Sequence, residues 1–206
     1  MAMGRPAAFD RDVALEQAMK TFWQYGYDTT SISALTEAMG INASSLYAAF
    51  GDKRSLFTAA LERYLAGPAS FARTAMDGAT TAFDAVRQLL HAAAAAYTRA
   101  GYPGGCLVIS GTTNCTPQSA DVQAKLRAIR AAGQRDLAKR FRAAVRNREL
   151  PADTHAETLA TFYAGTMQGM SALARDGATR ADLEAFADLA LAAWPVVRRK
   201  SASRSR

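Results

Sequence analysis

An all-α fold is predicted by three features of the sequence. Alanine is abundant, runs of β-branched residues are absent, and no stretch keeps a two-residue apolar/polar alternation. The chain has 206 residues, 50% apolar and 21% charged, enough to bury a substantial core. Its longest apolar run, residues 92–97, is too short to cross a bilayer.

The elements follow in order. A first helix starts at the N-cap Asp10, with Phe9 before it as a staple. Leu15, Ala18, Met19 and Phe22 recur at i, i+3, i+4, i+7, and Gly26 ends the helix. Ser31 to Met39 form a short helix with Ile32, Leu35 and Met39 on one face, and Gly40-Ile41 make a tight turn. Asn42 caps a second short helix, from Ala43 to Phe50, with Leu46 and Phe50 facing inward. Asp52 caps a longer helix carrying Leu56, Ala60 and Tyr64, which Gly67-Pro68 kinks or ends. Longer helices follow. One is Ala-rich, over about residues 81–99, and Gly101 to Gly105 break it. A short helix is expected within 106–115. A long basic helix opens at Ser119, with Val122, Leu126, Ile129, Leu137, Phe141 and Val145 buried, and Leu150-Pro151 end it. Helices near 154–175 and 180–194 complete the order. Residues 198–206 read as a basic, disordered tail.

The net charge is +7 and the pI about 9.7, which suggests an anionic partner. The charge is unevenly spread. Residues 1–65 hold six basic and seven acidic side chains, whereas 121–149 hold nine basic and three acidic. Bulk charge therefore does not locate a nucleic-acid surface, and the face of the basic helix is expected to be solvated. Cys106 and Cys115, on a helix, would lie about 13.5 Å apart, beyond disulfide reach. With no signal segment at the start, a cytoplasmic protein is expected. His91 and His155 stand alone, so neither a metal nor a cofactor is expected. No nucleophile–base set or Gly-rich phosphate loop supports an enzyme, and a helical interaction protein is a second, remote alternative.

Two short helices joined by a glycine-containing turn form a helix-turn-helix. Gly26-Tyr27, Thr30-Ser31-Ile32, Leu35, Gly40-Ile41-Asn42, Leu46-Tyr47, Phe50, Lys53 and Leu56 fall at the spacing of TetR-family transcriptional regulators. Gly4-Arg5-Pro6 resembles that family's N-terminal arm. The resemblance covers residues 4–62; the remaining two-thirds is similar in helix order and length. It implies an N-terminal DNA-binding domain over 1–52 and a larger ligand-binding and dimerisation domain over 53–197. It also implies a homodimer on palindromic double-stranded operator DNA, with half-sites about 34–36 Å apart or a multiple of that. A small-molecule effector of unknown identity would release it.

Carried over residue by residue, Thr30 and Ser31 match the phosphate-contacting start of the first short helix. Asn42, Ala43, Ser44, Ser45 and Tyr47 match the recognition segment, with Ser33 at another base-reading position. Lys53 matches a phosphate-binding lysine at a helix N-terminus, and Arg5 a minor-groove contact. The short side chains offer no bidentate pairing to guanine, so specificity leans on methyl contacts and DNA shape. The resemblance puts the dimer interface on the last two helices, where Gly165 and Gly169 permit close approach and Met170, Phe186 and Trp194 supply anchors. Effector candidates are Tyr97, Tyr102, Cys106, Phe141, Phe162 and Tyr163; the sequence leaves open which line a pocket and which fill the core. Cys106 carries two open readings. It is a thiol sensor of electrophiles or oxidants, exposed by the two preceding glycines, or it is an inert core residue.

Overall fold

The computed structural model describes residues 9–111 and 116–197. Arg5, Cys115 and the basic tail lie outside the described residues. Among the described residues the structure is helical, without strands: α1 (Arg11–Tyr25), α2 (Ile32–Met39), α3 (Ala43–Phe50), α4 (Lys53–Ala66), α5 (Phe71–Asp77), α6 (Ala82–Tyr97), α7 (Leu107–Ser110), α8 (Ala120–Arg146), α9 (Ala156–Arg175) and α10 (Arg180–Ala192), with a 3₁₀ turn at Pro117–Ser119. No helix there is long and apolar enough to cross a membrane.

In the first layer, α1 to α4, the start of each helix is chemically fixed. Asp10 accepts the backbone N–H groups of Asp12 and Val13, Ser31 that of Ala34, Asn42 that of Ser45, and Asp52 that of Ser55. Each bond satisfies an N–H that a helix start leaves unpaired. Gly40 sits at φ 65° and lets the chain turn out of α2, with Ile41 N–H closing back on the Thr36 carbonyl. Phe9 reaches across to α3, its ring 6.5 Å from Phe50. Leu35, Leu46, Leu56 and Phe22 are fully buried, and Phe57 stands edge-on to both Phe22 and Tyr27 at 5.1 Å. α4 packs along α1 and also meets α7, so it belongs to both layers.

The second layer runs from α5 to α10. Its centre is aromatic: Phe141, Tyr163 and Trp194 lie within 6.1 Å of one another, and Phe83 caps Trp194 at 5.4 Å. α5 is absent from the sequence reading. It has seven residues and no side-chain cap bond, so no local signal marks it. It is held from a distance, Phe71 standing edge-on to Tyr97 at 6.0 Å and Arg140 of α8 donating to the carbonyls of Met76, Ala79 and Thr81. The basic helix α8 is therefore not simply a solvated face. Arg140 ties down the α5–α6 turn, and Arg130 donates to the Val108 carbonyl. Ile129 and Val145, expected to be buried, are only half-buried.

Candidate DNA-reading head and effector cleft

α3 turns two faces in opposite directions. Leu46 and Phe50 sink into the core, while Ala43, Ser44, Tyr47 and Ala48 are exposed. Tyr47 is 51% exposed. Ala48 is four residues beyond Ser44 and extends the same strip, which the i, i+4 spacing allowed to be found. Ser45 is half-buried. Asn42 is occupied by the turn, its Oδ1 accepting both the Ser45 N–H and the Ser44 hydroxyl, at 2.8 and 2.7 Å. Ser31 caps α2, and Ser33 is exposed on it.

Two residues expected at the DNA backbone have partners within the chain. Thr30 is 1% exposed, and its hydroxyl donates to the Gly26 carbonyl at 2.6 Å. It braces the end of α1 rather than facing outward. Lys53 is half-buried, its Nζ lying 4.5 Å from the centre of the Tyr27 ring and donating to the Asp28 carbonyl at 3.4 Å. Burial pushes the Lys53 ammonium down, and the Asp28 charge opposes the shift. Arg54 bonds the Gln118 carbonyl at 3.0 Å and pairs with Asp121 at 3.2 Å.

These bonds belong to a seam between the head and the rest of the chain. The Asp28 carboxylate accepts the Ser119 hydroxyl and the Thr116 N–H. Burial works to raise that carboxyl, but the Ser119 and Thr116 bonds and the Lys53 charge outweigh it and hold it low. Tyr27 N–H donates to the Gly111 carbonyl at 3.3 Å. Arg175, at the end of α9, donates to the carbonyls of Trp23 and Gln24 at 3.2 and 3.1 Å, where α1 presents unpaired carbonyls. No local pattern in the sequence marks Arg175.

A cleft of about 630 Å³ opens between the end of α6, the 98–104 segment and the α9–α10 turn. Tyr97 and Tyr102 line it, with Arg99, Ala174 and Arg180. The other effector candidates lie elsewhere. Phe141 and Tyr163 fill the aromatic centre, where burial pushes the Tyr163 hydroxyl up to about 12. Phe162 is exposed on α9.

Cys106 is buried. Gly104 and Gly105 do not uncover it; they bring the chain flush against α9, where a Cβ on Gly105 would stand 2.5 Å from the Ser171 carbonyl oxygen. The Ser171 hydroxyl accepts the Cys106 N–H at 2.9 Å, and the Tyr64 hydroxyl donates to Sγ at 3.2 Å. Burial pushes the thiol up, against the pull of the Tyr64 bond. A protonated, enclosed thiol is a weak nucleophile.

The last two helices carry an outward apolar face. Phe162, Gly165, Gly169 and Leu173 recur along α9, beside Phe186 and Leu189 of α10, the last 75% exposed. A Cβ on Gly169 would stand 3.8 Å from the Phe186 ring. Met170 is fully buried within the protomer, so it is not an outward anchor on that face, and Trp194 is half-buried against Phe83.

A capped helix-turn-helix with an outward strip, tied by a bonded seam to a larger helical layer, defines a DNA-binding regulator. Family models agree on both parts. One described as bacterial regulatory proteins, tetR family, matches residues 14–60, and one described as tetracyclin repressor-like, C-terminal domain, matches 82–189. The chain belongs to the TetR family of transcriptional regulators. It is 36% identical to the HTH-type transcriptional repressor ComR of Escherichia coli (strain K12), over 93% of this chain and 92% of the relative. It is 30% identical to the HTH-type transcriptional repressor BdcR of the same strain, over 91% and 90%. Among solved structures it is similar to a cysteine mutant of the TetR family transcriptional regulator CifR complexed with 26-bp double-strand operator DNA. The TM-score there is 0.86, with 44% identity, over 93% of this chain and all of that one.

Proposed function

We propose that the chain is a cytoplasmic, homodimeric repressor that covers a palindromic operator and leaves it when a small molecule binds the second layer. One observation carries this reading: α3 holds an exposed strip of Ala43, Ser44, Tyr47 and Ala48 on a rigidly capped turn, shaped to enter a major groove. Repressors among its relatives and an operator complex in a similar structure support it. The apolar face of α9 and α10 supports pairing of two copies, since monomers rarely leave such a patch open. Two heads on one rigid dimer have a fixed separation, and that separation selects the half-site spacing. An effector releases DNA only by binding the released arrangement better. Differential affinity of a few kcal/mol gives roughly a 5–150-fold change in operator affinity. The enclosed Cys106 favours a noncovalent effector over thiol modification.

The test is selection of duplexes from a random pool, with light scattering on the free protein. A palindrome bound by a dimer is expected. In Gly169→Leu, the added side chain on the α9 face is expected to split the dimer and lower operator affinity at least tenfold. A dimeric variant with native affinity removes this face from the interface.

A further inference from the structure

The cleft at the end of α6 has features that specify a ligand and a route to the reading head. We infer that it takes a small organic carboxylate with an apolar body, an assignment that rests on the effector-release reading above. Its volume, about 630 Å³, is in the range of small-molecule sites. Arg99 and Arg180 both line it, and no aspartate or glutamate does. Arg180 uses its Nε on Glu184, which leaves the two terminal nitrogens of its fork for a further acceptor. Arg99 lies 4.7 Å from the Tyr102 ring centre and has no carboxylate partner among the described residues. A guanidinium binds a carboxylate through paired, charge-assisted hydrogen bonds. Ala95, Ala174 and Ala178 supply the apolar remainder.

Two walls of this cleft also touch α1, as α7 does from elsewhere in the second layer. Tyr102 lies 5.8 Å from the Trp23 ring, with Lys20 of α1 on its face at 4.7 Å. Ala174 is followed by Arg175, which holds the Trp23 and Gln24 carbonyls. A carboxylate that draws Arg99 off the Tyr102 face loosens one wall, and a body seated against Ala174 displaces the other. Both displacements act on the helix that carries the helix-turn-helix. The ligand thereby favours a head arrangement other than the DNA-bound one.

The experiment uses the full chain with benzoate, 2-naphthoate and octanoate, each beside its primary amide. Binding is read by calorimetry and operator affinity by titration. At least one carboxylate is expected to bind, its amide at least tenfold more weakly, and to lower operator affinity at least fivefold. Arg99→Gln combined with Arg180→Gln should erase the preference for acid over amide, its melting curve showing that the fold is kept. Ala95→Trp, which fills the cleft, should abolish binding of the same probe. Arg175→Ala should bind the probe while its operator affinity no longer responds to it. The assignment is overturned if no carboxylate binds, if the amides bind equally, or if the double variant keeps the preference. A chain that binds operator but no carboxylate loses this assignment alone; one that binds no palindrome loses the regulator reading itself.

Discussion

The reading head and the layer behind it are held together by different means. Each of the first four helices begins with a side chain that accepts its own helix's N–H groups, from Asp10, Ser31, Asn42 and Asp52. Behind them only α6 and α10 are capped in this way, by Thr81 and Thr179, while α5, α8 and α9 begin without such a bond. Their joints are long-range: Arg140 on the α5–α6 turn, Arg130 on α7, Arg175 on α1. Local caps fix a small surface that must present the same face each time. Long-range bonds between rigid helices let one joint change while the helices stay whole, which suits a part that must respond.

The largest expected effect lies in the back layer. Phe141→Ala opens a hole in the aromatic centre and should cost about 3–5 kcal/mol, read from chemical unfolding. If the head melts separately and later, the two layers are energetically independent as well as differently built. Arg140→Gln should cost about 2 kcal/mol, since charge-assisted bonds to half-buried carbonyls are lost. Hydrogen exchange should rise at α5 first; uniform loosening would show that the arginine is not a local clamp.

Asn42→Ala removes the cap of α3 and should cost about 1 kcal/mol of stability. Operator affinity should fall by more than that loss of stability explains, because the cap also orients Ser44. An affinity loss matched by simple unfolding would remove the orienting role. The smallest effect is expected at Lys53. Lys53→Ala should weaken all duplexes alike and reduce the salt slope by about one contact per half-site, measured by titration at several salt concentrations. It should also loosen the Tyr27 ring on which the chain of Lys53 rests. An unchanged slope would leave the lysine as a seam residue only.

The same division explains what was legible in the sequence. Cap, turn and apolar spacing lie within a few residues of one another, so the Gly40-Ile41-Asn42 turn and the bounds of α1 to α4 could be read directly. The family followed from them, while the fold class came from the alanine content and the missing two-residue alternation. α5 could not be read, because its supports are Arg140 and Tyr97, both far along the chain. Site residues divide similarly. Tyr47 and Ser44 face outward as periodicity requires, but the Thr30 hydroxyl has a nearer acceptor in Gly26. Gly104 and Gly105 read as an opening around Cys106. In three dimensions they permit a close approach to α9, a distinction that requires knowing what lies opposite. Phe141 and Tyr163 are aromatic residues like Tyr97 and Tyr102, and only tertiary packing separates core from cleft.

The bond from the Tyr27 amide to the Gly111 carbonyl crosses the seam between the two layers. Its donor is a backbone proton, so the chain carries a built-in gauge that needs no label or mutation. Exchange at that single amide tracks opening of the seam, while amides within α1 track opening of the helix itself. Comparing the two rates, with and without DNA, separates a head that swings as a body from one that frays.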